Sequence, residues 1–176
     1  MFEKSIYVRR RKALMDKMSA GVAEGRRGIA LFIGNAEAPA QYKDNCYKFR
    51  QDSTWLYYFG IDEPLFAAVL DLDEGTETVF ADDVEIGDII WMGPQPSVSS
   101  RAESAGISSS APYNALDGVV SKALASGRPV HFIKPTRYYN KIKLASLLGC
   151  RPEEVDGKYS EALTKAIISM RLVKEA

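Results

Sequence analysis

Tyr47-Lys48-Phe49-Arg50-Gln51-Asp52-Ser53-Thr54-Trp55-Leu56-Tyr57-Tyr58-Phe59-Gly60-Ile61-Asp62-Glu63-Pro64 is the stretch from which the fold is read. A charged approach leads into a nearly unbroken aromatic run, which stops at a glycine. Asp52 or Ser53 can cap a helix there by accepting hydrogen bonds from first-turn amides that have no partner inside the helix. Gly60 suits the left-handed conformation that ends a helix, and Pro64 cannot continue one. The pattern predicts a short helix from Ser53 to Phe59, with Trp55, Leu56, Tyr58 and Phe59 supplying most of its buried area. Each aromatic ring can bury on the order of 150 to 250 Å², so this piece is expected to be the packing centre of a small domain. Arg50 beside Asp52 invites a catalytic reading. An arginine keeps a neighbouring carboxylate ionised, however, which suits an ion pair bracing loop to helix better than a general acid.

Working outward, Gly28 to Gly34 is a continuous apolar run between turn residues, the pattern of a strand buried on both faces. Leu65 to Leu72 forms a second strand, Asp73-Glu74-Gly75-Thr76 a turn, and Glu77 to Ala81 the returning partner. Helices are expected from Ser5 to Ala20, Val84 to Met92, Val98 to Ala105, Leu116 to Ala125, Tyr138 to Leu148 and Ser160 to Met170, with a strand from Pro129 to Ile133. Gly21, Gly93-Pro94 and Gly149 stand where three of these helices should stop. In the first helix Tyr7, Leu14, Met15 and Met18 share a face, while Arg9, Arg10, Arg11 and Lys12 are expected to form a solvated one. Strands separated by helical segments point to an α/β sandwich with its sheet covered on both faces.

At 176 residues the chain has room for one domain with a real core, and a second would be cramped. Its 23 basic and 23 acidic residues give a formal net charge of zero, so nothing global draws it to nucleic acid or to an anionic membrane. No stretch reaches the length of a membrane span, and the first twelve residues lack the apolar core of a secretion signal. A cytoplasmic location is expected, with Cys46 and Cys150 as free thiols, because they form no close pair.

The composition offers little catalytic material. Asp71, Asp73, Glu74, Glu77, Asp82, Asp83, Glu85 and Asp88 cluster, and a nuclease could use such acids to hold a divalent cation. They fall at turns and strand ends, where Asp satisfies local backbone donors. His131 is the one histidine. It is expected to be a buried or edge-strand imidazole with a backbone partner, since no motif supplies the nucleophile or acid that a general base needs. One histidine and two scattered cysteines cannot form the usual zinc site. No Gly-x-Ser-x-Gly, phosphate-binding loop or dinucleotide fingerprint occurs.

Three ordered segments carry a family resemblance. Phe49-Arg50-Gln51-Asp52-Ser53, the aromatics after it and Phe59-Gly60-Ile61-Asp62-Glu63-Pro64 resemble the amino-terminal domain of the Xaa-Pro peptidases, the aminopeptidase P and prolidase family. Ile89-Ile90-Trp91-Met92-Gly93 is similar to the family's Ile-Trp-aromatic-Gly segment. Met170-Arg171-Leu172-Val173-Lys174 is similar to the Met-Arg-x-x-Lys that leads into its catalytic domain. The resemblance implies an α/β three-layer sandwich of the creatinase/prolidase amino-terminal type, a mixed sheet flanked by helices with a ribonuclease H-like motif. This domain would span residues 1–170, and residues 171–176 would open a linker to a carboxy-terminal pita-bread metallopeptidase domain outside the chain.

By the same resemblance, hydrolysis of the bond before proline belongs to that second domain. Its two Asp, one His and two Glu ligands hold two divalent metal ions, commonly manganese, while this chain carries no catalytic residue and no metal. The implied roles here are to limit the length of peptide admitted and to contribute to homo-oligomer contacts. Trp91 matches the family tryptophan that can wall the substrate pocket across a subunit boundary; a core tryptophan plugging its own helix fits equally well. Met92-Gly93-Pro94-Gln95 departs from relatives with basic residues there, which puts charged contacts at that point in doubt. A noncatalytic peptide- or protein-binding module with a peptidase-like fold is the alternative, and the residues that would discriminate lie beyond Ala176.

Overall fold

The structure is a computed structural model that describes residues 2–42, 45–84, 90 and 93–172. Its centre follows from alternation along two apolar strands. In β1 (Ile29–Ile33), Ile29 and Leu31 face one side of the sheet and Ala30 and Phe32 the other. In β2 (Ala67–Asp71), Ala67 and Val69 are set against Ala68 and Leu70 in the same way. Successive side chains point to opposite faces, so both strands are buried on both sides.

β1 and β2 pair antiparallel, with Leu31 opposite Val69. After the turn at Asp73 to Gly75, β3 (Thr76–Phe80) returns antiparallel to β2, as the hairpin pattern requires. Short strands β4 (Ser110–Ala111) and β5 (Val130–His131) add in parallel beside β3 and β1. The result is a mixed five-stranded sheet of order β4-β3-β2-β1-β5.

Helices cover both faces. α1 (Lys4–Ser19), α2 (Ser53–Tyr58), α3 (Val98–Ser104) and α7 (Glu161–Arg171) close one side through Leu14, Trp55, Ala102 and Leu163. α4 (Ala115–Ala125), α5 (Tyr138–Leu148) and α6 (Pro152–Val155) close the other through Leu116, Leu144 and Val155. This is the three-layer α/β sandwich that the resemblance implies.

Most boundaries fall within a residue or two of the sequence reading. β5 is shorter than the run Pro129 to Ile133, because the Phe132 carbonyl accepts from the Ser160 amide at 2.9 Å and so serves the start of α7. Along α4, Leu116, Val120 and Ala123 are buried while Val119 and Leu124 are exposed. The helix expected over Val84 to Met92 lies almost wholly outside the described residues. No helix among the described residues is long and apolar enough to cross a membrane, and among those residues neither Cys46 nor Cys150 is in a disulfide.

The basic run corrects one expectation. Arg9 and Lys12 are exposed, but Arg10 is nearly buried and the Arg11 side chain is fully so. Position 11 falls in the same stripe as Tyr7, Leu14 and Met18, so the helical period alone carries it inward. It is accommodated because its guanidinium donates to the Tyr58 carbonyl at 2.9 Å and to Glu77 at 3.0 Å. Arg10 donates to the Tyr57 carbonyl at 3.0 Å and lies 3.9 Å from the centre of the Tyr57 ring.

The acids of the hairpin are also structural. Asp71 Oδ1 accepts the amides of Asp73 and Glu74 and pairs with Arg128. Asp73 accepts the amides of Arg27 and Gly28, each at 3.0 Å, and Arg128 Nε at 2.9 Å. Burial alone would raise the pKa of Asp73, but these donors outweigh it and hold the carboxyl below its ordinary value.

Two stability measurements check this account. Arg11→Ala leaves Glu77 and the Tyr58 carbonyl without their buried donor, and a loss of about 3 kcal/mol is expected in urea denaturation. Asp73 has its pKa lowered by folding, so its contribution is full above the unfolded value and fades as pH falls through the folded one. The stability gap between the native chain and Asp73→Asn should therefore narrow on acidification below about pH 4.

Candidate functional site

The aromatic stretch forms its helix because both ends are tied down. Asp52 is the N-cap, and its Oδ1 accepts the amides of Thr54 at 2.8 Å and Trp55 at 2.9 Å. No ion pair joins Arg50 to Asp52 among the described residues, so the expected brace is replaced by a cap. Gln51, 3% exposed, ties together the segments around this cap. Its Oε1 accepts the amides of Asn35 at 2.6 Å and Asp52 at 2.8 Å, while Nε2 donates to the Glu63 carbonyl at 2.7 Å. Gly60 has φ +67°, and a Cβ there would lie 2.2 Å from Cζ of Tyr7, so only glycine fits. Behind it Trp55 stacks on Phe59 with ring centres 4.4 Å apart and donates from Nε1 to the Ile61 carbonyl at 2.8 Å.

The end of α7 docks on this helix. Arg171 Nη1 donates to Thr54 Oγ1 at 2.7 Å, and its guanidinium carbon lies 5.7 Å from the Tyr57 ring centre. The Tyr57 hydroxyl donates to the Met170 carbonyl at 3.2 Å, and the Tyr58 hydroxyl to the Met170 sulfur at 3.6 Å. Burial, with the neighbouring Tyr57, pushes the pKa of Tyr58 above its ordinary value, so the phenol remains a donor. Two of the three motif segments, far apart in sequence, are therefore in direct contact. The third contains Trp91, which lies outside the described residues.

Beside the α2 cap, at the carboxyl ends of β1 and β5, lies a cleft of ≈ 260 Å³. Phe32, Trp55, Ile133 and Leu144 give it apolar walls, and Thr54 and Asn140 contribute polar groups. Among the described residues that line it, no nucleophile and base are set against each other. His131 stands apart, with Nε2 2.9 Å from the Arg27 carbonyl and Nδ1 2.9 Å from Ser160 Oγ. A carbonyl only accepts, so the proton sits on Nε2 and Nδ1 accepts from the serine. This is the structural imidazole with a backbone partner that the sequence suggested.

A family model described as aminopeptidase P, N-terminal domain, matches residues 7–131. The chain belongs to that family. It is 27% identical over 89 residues to the Xaa-Pro dipeptidase of Homo sapiens, a match that covers 51% of this chain and 18% of the relative. Among solved structures, a His350Ala form of Escherichia coli aminopeptidase P superposes with TM-score 0.73 at 21% identity, covering 99% of this chain and 40% of that one. A zinc-substituted Escherichia coli aminopeptidase P in complex with product gives TM-score 0.67 at 22% identity, covering 84% and 33%. At such identity the structural likeness is one of fold. The chain spans less than half the length of each of these relatives.

In this aminopeptidase P amino-terminal domain Asp82 and Asp83 also support the backbone. Asp82 accepts the Tyr113 amide at 2.9 Å and Asp83 the Val98 amide at 2.6 Å. Among the described residues no group of three or more His, Cys, Asp or Glu is placed to hold a metal ion; Glu85 and Asp88 fall outside them. Thr54, Asn140 and the reach of Arg171 to α2 were not singled out in the sequence. The Met-Arg segment pointed to Arg171, but nothing local names its partner.

The docking of α7 on α2 can be measured. Thr54→Val removes the acceptor for Arg171 while keeping the side-chain shape. A loss of about 1 kcal/mol is expected, with faster amide hydrogen exchange confined to the last turn of α7.

Proposed function

We propose that this chain is the noncatalytic amino-terminal domain of a metal-dependent Xaa-Pro aminopeptidase or dipeptidase. In this reading residues 1–170 form the domain, and residues 171–176 lead to a pita-bread module that hydrolyses the peptide bond before proline. Two divalent ions, commonly manganese, are held by that module and none by this chain. The domain limits the length of peptide that enters and contributes to homo-oligomer contacts in a cytoplasmic enzyme.

The family match carries the reading, on a chain that spans 18% of the human dipeptidase and 33% or 40% of the bacterial structures. The absence of a metal-binding group among the described residues is compatible with it. The contact of Met170 and Arg171 with α2 supports a mechanical role. A helix end tied by a side-chain bond and a backbone bond gives the polypeptide leaving it a fixed direction, and a gate needs a fixed position relative to the site it restricts. In this role Trp91 offers a rigid apolar indole face to a prolyl ring or a neighbouring side chain of the peptide.

The test compares this chain with the protein encoded by its whole gene on an Xaa-Pro dipeptide and a longer Xaa-Pro peptide, both with manganese. The chain alone should be inactive and the whole protein active. Hydrolysis by the chain alone, or an inactive whole protein whose sequence lacks the Asp, Asp, His, Glu and Glu ligands, would overturn the reading. In the active protein, Trp91→Ala should raise KM for Xaa-Pro substrate about tenfold while changing kcat little.

A further inference from the structure

The net charge of zero conceals a segregation. Residues 51–100 hold eleven Asp or Glu and no Lys or Arg, whereas residues 118–152 hold seven Lys or Arg and no Asp or Glu. Several of these charges neutralise one another inside the fold, as Arg128 does with Asp71 and Asp73, Arg101 with Glu63 and Lys141 with Asp156. The charges left over decide what the surface can meet.

They collect on one rim. β1 and β3 both run antiparallel to β2, and β4 and β5 run parallel to them, so these four strands end on the same edge of the sheet. Just beyond β3 stand Asp82 and Asp83, both exposed. Each accepts one backbone amide, and neither has a cationic partner among the described residues. Just beyond β1, the Arg137 guanidinium donates to the carbonyls of Ala36 at 3.3 Å and Arg50 at 3.2 Å. It therefore lies beside Arg50, which is exposed, as is Lys48 two residues before it. None of these three cations has a carboxylate partner among the described residues. The exposed Glu37 next to Ala36 offsets part of their charge, and this end of the rim stays positive.

Between the two ends lies Leu65. It stands just before β2, and its amide donates to the Asn35 carbonyl at 3.1 Å. Its φ is +61°, a left-handed backbone that few side chains adopt, yet the side chain is 49% exposed and gains little from the core. Strain of this kind is concentrated at sites that contact something else. The rim thus runs acid, apolar, base, and neighbouring strands about 4.8 Å apart set its charged ends roughly 10 Å from each other. That order is self-complementary. A second copy turned by 180° about the sheet normal at Leu65 brings its cations against Asp82 and Asp83 and its acids against Lys48 and Arg50. The two Leu65 side chains then meet at the axis, and every contact occurs twice, as in an isologous dimer. A nucleic acid or an acidic segment would be repelled by Asp82 and Asp83, so the partner must carry both signs in reverse order.

We propose that this edge of the sheet is a two-fold docking surface for a second copy of the chain, centred on Leu65, with Asp82 and Asp83 of each copy facing Lys48 and Arg50 of the other. The inference rests on the homo-oligomer part of the reading above and names its surface. Exposed ion pairs are individually weak and are screened by salt, so the dimer is weak and salt-sensitive.

Sedimentation velocity of the 176-residue chain tests this. In low salt a monomer–dimer equilibrium with Kd of about 0.1 mM is expected, weakening about tenfold when salt is raised to about 0.5 M. Asp82→Lys/Asp83→Lys gives a rim that is basic throughout, and Lys48→Glu/Arg50→Glu one in which both ends carry acids. Each variant alone should stay monomeric, and an equimolar mixture should associate as tightly as the native chain, a result that misfolding of either cannot produce. Leu65→Gly relieves the strained backbone, so it should leave the fold at least as stable to urea while weakening the dimer about tenfold; this arm stands even where a charge variant fails to fold. A native chain that stays monomeric in low salt overturns the proposal. So does a dimer that the charge reversals or Leu65→Gly leave intact, or a mixture no more associated than its parts. Association is read here without substrate, so its failure leaves the peptidase assignment standing, and an inactive whole protein leaves this surface standing.

Discussion

A helix of six residues makes too few internal hydrogen bonds to hold its shape in water, so α2 exists only because its neighbours complete it. Asp52 serves the amide end. At the carbonyl end, where the last turn has no partners of its own, the Arg10 and Arg11 guanidinium groups reach across from α1. Those bonds fix the height and rotation of Trp55, Tyr58 and Phe59, which pack into the core on one side of the sheet. Glu77 then links the same arginine to β3. One buried cation thus ties together the first helix, the aromatic helix and the hairpin, and the close approach of Tyr7 to Gly60 is possible only within that arrangement.

The fold was legible where the signal is local or periodic. The cap at Asp52, the left-handed stop at Gly60, the two-sided burial of β1 and the span Tyr138 to Leu148 closed by Gly149 each depend on residues within a turn of one another. What was not legible is long-range. Arg11 was assigned to solvent because its charge was weighed more heavily than its place in the inward stripe; the decisive fact is a pair of acceptors 47 and 66 residues away. Gln51 stood in a family motif, but nothing in the sequence announced its bonds, which go to backbone atoms that any residue carries.

The candidate site divides in the same manner. The family motifs pointed to the aromatic stretch and to Met170-Arg171, but only the folded chain brings Arg171 to Thr54 across 117 positions. Asn140 reads as an ordinary polar residue in the first turn of α5. Its buried amide donates to Asn35 Oδ1 across 105 positions, a contact that no local pattern announces. The acidic cluster behaves as its sequence positions suggest. Its acids were read as turn and strand-end carboxylates serving local backbone donors, and the geometry assigns Asp71, Asp73, Asp82 and Asp83 to backbone amides, some of them more than ten residues away.

The sheet ends on both sides in strands of only two residues. So brief an edge offers almost no run of open N–H and C=O groups to a foreign strand. Copies of this molecule consequently have little means of joining by extending one sheet into the next, and when they do meet, side chains on helices and loops must form the seam.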